Sequence, residues 1–239
     1  MTKQYKFADG VRSAIPVSLG YISIGAAFGI VAAAQSFSVW QVLCLSIFLY
    51  AGSGQFIIVA MMAVKAPVSL IAMTIFLVNF RMFLQSLTAT QIFPHQTLAS
   101  GIAMGTLMTD ESFGVLSMAH AQKLPITVPW MQGVNVMSYL TWIFATVAGA
   151  AVGTLIPDPE KFGLDYALVA MFIGLLVLTV DAMRKTEKLR LILAVGLVSI
   201  ICYLLTAIIA SSYVAVLVAT VIGALVGAVL SAPQHERGT

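Results

Sequence analysis

Thr74-Ile-Phe-Leu-Val-Asn79-Phe80-Arg81-Met82-Phe-Leu84 lies inside a mostly apolar run from 67 to 90. A helix crosses the hydrocarbon of a bilayer in about twenty such residues. Asn79 and Arg81 then sit near the middle of a span. The next apolar run, 98–119, carries Thr109-Asp110-Glu111 near its own middle. An ionised side chain at that depth costs roughly 2.5–3.5 kcal/mol on insertion scales and, where retained, faces a polar interior. Charges in two adjoining spans therefore point to a polar site within the membrane.

The rest of the chain repeats the apolar pattern. Of 239 residues, 60% are hydrophobic and 9% charged, with a mean hydropathy of +1.01. A soluble domain carries roughly 25% charged residues, so this chain lacks the polar surface to cover a soluble fold. The expected class is an all-α, polytopic transmembrane bundle in the lipid bilayer. It forms one transmembrane domain over 1–239, with candidate halves at 10–120 and 130–232. Eight spans are expected, at 13–34, 39–64, 67–90, 98–119, 131–155, 164–182, 190–209 and 212–231. Several of the breaks between them contain proline. The last, Ala210-Ser-Ser212, is weak enough that the final two segments could be one bent hairpin.

The formal net charge is +3, and its placement carries more information than its size. With the N-terminus in the cytoplasm, ten of the twelve Lys and Arg residues face inward, Lys161 faces outward and Arg81 is embedded. The positive-inside rule predicts this bias, so both termini are expected in the cytoplasm. Lys3, Lys6 and Arg12 precede a run ending Ala32-Ala33-Ala34, which superficially resembles a cleavable signal. Its length, Pro16 and Gly20 favour a first span. Cys44 and Cys202 lie in apolar runs and read as packing residues. His95, His120, Asp165 and Asp181 fall at span ends. The chain shows no nucleotide loop, catalytic triad or metal-ligand spacing. No enzyme activity, cofactor, metal or nucleic-acid partner is expected.

Small residues recur at helical spacing: Gly25/Gly29, Gly101/Gly105, Gly149/Gly153 and Gly223/Gly227. Such pairs let helix backbones approach closely, within one bundle or at a dimer face. Gly25-Ala-Ala-Phe-Gly29 also echoes Gly149-Ala-Ala-Val-Gly153, 124 residues later. Transporters are often duplicated, and four spans per half would make the halves parallel.

The polar residues inside the spans suggest a site. Offsets from the span centres separate Arg81 from Asp110 and Glu111 by roughly 6–8 Å along the normal, a gap an arginine can largely bridge. The pair could fix helix register alone or serve transport. If the fourth span is continuous, Thr106, Asp110, Gly114 and Ser117 form one stripe, with Glu111 about 100° round. Arg81, Gln85 and Thr88 form another. In the second span, Tyr50-Ala51-Gly52-Ser53-Gly54-Gln55-Phe56 combines two poor helix formers near mid-membrane. It reads either as a closely packed continuous helix or as a broken one. A break would offer free N–H groups to an anion.

Taken in order, Tyr50 to Phe56, Asn79-Phe80-Arg81, Thr109-Asp-Glu-Ser-Phe113 and Asp165-Tyr-Ala-Leu-Val-Ala-Met-Phe172 resemble the large subunit of the bacterial branched-chain amino-acid exporters, the AzlC-type family. The resemblance covers roughly 10–230. Two positions depart from it: Met82 where His is common, and Val169 where Pro is common. The first puts in doubt any proton-relay role at that position. The resemblance implies export of Leu, Ile, Val and Met across the bacterial inner membrane. It also implies a small membrane partner of about four spans.

Such an amino acid is a zwitterion with an apolar tail. The expected carboxylate donors are the Gly52–Gly54 backbone, Ser53 and Gln55. Asn79 belongs to the same polar set. Arg81 could join them or hold Asp110. The ammonium needs an acceptor, with Asp110 first and Glu111 second. Phe56 and nearby Met or Phe residues are the candidates for the tail. Asp110 and Glu111 are also the candidate proton-coupling groups for antiport. A channel, a transporter of another solute, an intramembrane enzyme and a structural subunit stay open on these residues.

Overall fold

The computed structural model describes residues 5–94, 96–156, 188–210 and 212–231, with single positions between 161 and 184. Among them the only regular structure is helical. The chain divides into compact units at Met1–Ala170 and Met171–Thr239. The expected span 164–182, the expected boundary residue Asp165 and the loop residue His95 fall wholly or mostly outside the described residues.

The first unit opens with a short helix, α1 (Phe7–Ser13), followed by α2 (Ile15–Ala34). The expected second and fourth spans are each two helices. Val39–Phe48 (α3) is followed by Gly52–Ala63 (α4), and Leu98–Thr106 (α6) by Asp110–Ala121 (α7). Between these pairs runs α5 (Val68–Ile92), and α8 (Val128–Gly153) closes the unit. The helices α2, α5 and α8 are each long and apolar enough to cross a membrane.

Local chemistry explains both breaks. Ahead of α4, Ala51 is extended (φ −152°, ψ 98°), and the helix restarts on Gly-Ser-Gly. Ahead of α7, Thr109 is extended (φ −126°, ψ 172°), and its Oγ accepts from Ser112 N at 3.3 Å. Ser112 Oγ accepts in return from Thr109 N at 2.9 Å. This reciprocal cap satisfies two donors that a helix start leaves free. Asp110 and Glu111 occupy the first turn, where negative side chains are favoured by the helix dipole. The break overturns the stripe expected for a continuous fourth span: Thr106 ends α6 and Asp110 starts α7.

The broken pairs match element for element, their second halves at an offset of 58 residues: Gly52 and Asp110 start these, and Ala63 and Ala121 end them. Their first halves are both capped by hydroxyls, Ser38 on Gln41 N and Thr97 on Ser100 N. Their second halves are both followed, two residues on, by a lysine in the left-handed region, Lys65 (φ 54°) and Lys123 (φ 55°). Each then closes a bond back across the last turn, Ala66 N to Met61 O at 2.9 Å and Leu124 N to Ala119 O at 3.1 Å. This closure takes up carbonyls that the helix end would leave free.

The interior is built on α8, which packs against α1, α2, α3, α6 and α7. Its glycines and those of α2 make a close contact. A Cβ on Gly29 would run into the Thr146 carbonyl, and one on Gly149 into the Ala26 carbonyl. The Gly25/Gly29 and Gly149/Gly153 pairs thus face each other inside one chain. Phe28 packs edge-on against Phe56 at 5.1 Å, and Tyr21 against Trp142 at 5.1 Å. A second cluster joins Met104, Met108, Leu116, Trp130, Met131 and Val134. By contrast α5 buries little of its surface within the unit.

In the second unit, α9 (Leu189–Ile209) and α10 (Ser212–Ser231) form an antiparallel hairpin. The extended Ala210 (φ −135°, ψ 170°) separates them, so the weak Ala-Ser-Ser break is a real helix boundary. A Cβ on Gly223 would meet Ser199 Oγ, and one on Gly227 lies 3.5 Å from Val195.

Reporter fusions test the orientation expected from the cations. Alkaline phosphatase at either terminus should be inactive and a cytoplasmic fluorescent protein bright. Opposite readings at the two ends would contradict the even span count.

Candidate functional site

A broken membrane helix exposes carbonyls and N–H groups that lipid cannot satisfy, so side chains must do it. Here α8 supplies most of them. Asn135 Nδ2 donates to the Met104 carbonyl at 2.8 Å, at the end of α6. Tyr139 Oη donates to the Ile47 carbonyl at 3.1 Å, at the end of α3. Trp142 Nε1 donates to Gln55 Oε1 at 2.8 Å, and Gln55 Nε2 donates in turn to the Leu49 carbonyl at 2.9 Å. Thr146 and Ser46 share a hydrogen bond of 2.8 Å. None of these α8 residues stands out in sequence, because each reads as a single polar residue in an apolar helix.

An unsatisfied buried polar group costs about 1–3 kcal/mol. Asn135→Leu, which strands the Met104 carbonyl, should therefore lower the melting temperature of the purified protein in detergent by several degrees. An unchanged melting temperature would show that the break does not need this bond.

The two breaks meet at α5. Arg81 Nη2 lies 2.7 Å from Asp110 Oδ2, at the first residue of α7. The same nitrogen donates to Ser53 Oγ at 3.1 Å, in the first turn of α4. Gln85 Nε2, one turn on from Arg81, donates to Asp110 Oδ1 at 2.9 Å. Thr88, expected on the same stripe, instead bonds back to the Leu84 carbonyl at 3.0 Å. The ion pair remains accessible, with side-chain exposures of 42% for Arg81 and 21% for Asp110.

Glu111 points to a different neighbour. Tyr21 Oη donates to Glu111 Oε2 at 2.7 Å and lies 2.7 Å from Thr109 Oγ1. The two carboxylates of α7 thus have separate partners, Arg81 with Gln85 for one and Tyr21 for the other.

The remaining sequence candidates divide. Ser53 and Asp110 are joined through Arg81. Gly54 lies under Asn79, whose amide nitrogen is 3.3 Å from the place a Cβ would take, and Gly52 faces the Trp142 ring at 3.1 Å. Gln55 is fully buried, and both ends of its amide are committed to the break itself. Phe56, 2% exposed, lies in the aromatic packing with Phe28.

The α4 start has no side-chain cap, whereas α3, α6, α7 and α8 each have one. Near it Asn79 Oδ1 and Arg81 Nε are buried without a protein partner, as is Gln85 Oε1 beside Asp110. Buried polar atoms are nearly always partnered, so this group has unused capacity for a polar ligand. The first-turn N–H groups of α4 and the Arg81 guanidinium favour an anion. The Asp110 carboxylate beside them favours a cation.

A multi-pass helical chain with two broken helices meeting at an accessible ion pair has the architecture of a membrane transport protein. Comparison with known proteins names the family. Residues 16–156, which run from α2 through α8, match the AzlC protein family. An inner membrane protein of Escherichia coli, YgaZ, is 28% identical over 72% of this chain and 72% of its own length. The branched-chain amino acid transport protein AzlC of Bacillus subtilis is 27% identical over 79% of this chain and 74% of its own. A membrane protein of Helicobacter pylori strain J99 is 26% identical over 71% and 73%. No solved structure matches the chain. The chain belongs to the AzlC family and is a multi-pass protein of the bacterial inner membrane with a role in membrane transport.

Proposed function

We propose that the protein is the large subunit of a secondary exporter of branched-chain amino acids, Leu, Ile and Val together with Met, driven by proton antiport. One observation carries this reading: a single guanidinium nitrogen joins the uncapped start of α4 to the carboxylate at the start of α7. Positive and negative groups thereby stand side by side where both spans are broken. A zwitterion presents the complementary pair. Its carboxylate fits the α4 N–H groups, Ser53 and Arg81, and its ammonium fits Asp110. The relative named for branched-chain amino acid transport supports the substrate class.

Coupling follows from competition for Asp110. A proton, the substrate ammonium and Arg81 all bind the same carboxylate, so loading one releases another. Glu111, held by Tyr21, is the second proton site. A small membrane partner completes the exporter.

Cells preloaded with labelled valine test the mechanism. Efflux dependent on the protein should fall to background when an uncoupler collapses the proton gradient. Unchanged efflux would remove proton antiport and leave the substrate assignment to be judged separately.

A further inference from the structure

Beside the helix breaks, a cavity of about 820 Å³ opens between α5 and α6. Small-molecule sites commonly enclose about 300–1,000 Å³. Three lining residues adjoin the polar site in sequence: Tyr50 precedes Ala51, Met82 follows Arg81, and Met108 precedes Thr109. Away from them the lining is mainly apolar, with Phe83, Leu87 and Ile102. The cavity reaches as far as Pro94, Gln96 and Thr97 in the loop between the helices. Gln96 Oε1, in that loop, is buried without a partner. The arrangement is an open, mainly apolar groove, with Ile102 61% and Phe83 54% exposed, that adjoins sequence neighbours of the ion pair and carries polar groups at the loop.

We propose that this cavity seats the aliphatic side chain of the transported amino acid and sets the size of side chain the protein accepts. The inference rests on the function proposed above and deepens it. The charged groups of the substrate stay at the two helix starts, and the chain of carbons lies along Met82, Met108 and Ile102. Of the candidates from sequence, Phe56 is packed in the core and does not line this groove, whereas Met82 and Phe83 do. Gly101 and Gly105 keep the α6 wall low. A Cβ on Gly105 would press on Ser86 at 3.3 Å, whereas one on Gly101 meets only the Gln96 side chain at 3.5 Å. Gly101 is thus a position where bulk can be added without displacing backbone.

One extra or missing methylene in an apolar pocket changes discrimination by about 10–200-fold. Gly101→Phe should lower leucine efflux relative to valine efflux by about tenfold. Ile102→Ala should shift preference the other way, raising efflux of phenylalanine relative to leucine at least about fivefold. Efflux of the three labelled amino acids is measured from preloaded cells, with the protein's membrane level checked by immunoblot. If Gly101→Phe does not reach the membrane, Ile102→Ala decides alone. Unaltered ratios in variants with normal total efflux would overturn the cavity assignment and leave the proposed function standing. Absence of valine and leucine efflux from the unmodified protein would overturn both.

Discussion

Asp110→Asn is expected to bring valine efflux down to the background of cells lacking the protein, while the chain still inserts at its normal level. The substitution keeps the shape of the side chain and removes its charge. Arg81 then loses its ion-pair partner at 2.7 Å, and the substrate ammonium loses its acceptor. The pair is only partly buried, at 42% and 21% exposure, so losing one partner costs less than the about 2–5 kcal/mol of a fully buried charge pair. Antiport would suffer further, since an amide cannot take up the proton. The folded state should survive, because Arg81 keeps its bond to Ser53 and is 42% exposed. Normal efflux from Asp110→Asn would remove the central residue of the site.

Gly29→Leu should have the largest effect on the fold. The place its Cβ would occupy is filled by the Thr146 carbonyl and by the Gly149 and Ala150 backbone. Backbone cannot move aside as a flexible side chain can, so α2 and α8 must separate. Overpacking a tight core costs about 1–3 kcal/mol where neighbours can adjust, and here they cannot. Separation would also pull Thr146 from Ser46 and Trp142 from Gln55, the bonds that hold the first break. Most of the protein should be lost from the membrane fraction or run as aggregate on size exclusion in detergent. Gly20→Ala on the same helix is the control, since nothing lies within 4 Å of its Cβ position. A monodisperse Gly29→Leu protein would contradict the close α2–α8 crossing.

How legible was this in the sequence? The helical membrane class was fully so, because composition and run length dictate it. So were the charges Arg81 and Asp110, whose depth in the apolar runs required a partner. The Gly52-Ser53-Gly54 break could be read as one of two options, since glycine weakens a helix without ending it. The second break was hidden by the absence of Gly or Pro at Leu107–Thr109. Its signal was there in another form: Thr109 followed by Asp110, Glu111 and Ser112 is a helix-start signature. The duplicated breaks went unseen because their 58-residue likeness lies in caps and turns rather than in the apolar pattern. The stitching residues Asn135, Tyr139 and Trp142 were beyond sequence altogether. Each acts on a group between 31 and 92 positions away, and only the folded chain shows which carbonyls need them.

Gln55 and Phe56 illustrate the same limit from the other side. Both lie within the most suggestive motif of the chain, yet the structure spends them on the break and on the core. What distinguishes Ser53, itself buried, is its bond to the accessible Arg81, which no motif encodes.

The most direct test of the account is counterflow in proteoliposomes. Vesicles holding the reconstituted protein are loaded with unlabelled valine and diluted into a trace of labelled valine, with no ion gradient imposed. This reads the substrate site alone, apart from its energy source. The account predicts transient accumulation of label with the unmodified protein and none with Arg81→Gln or Asp110→Asn. Undiminished counterflow in both variants would contradict a substrate site built on the Arg81–Asp110 pair.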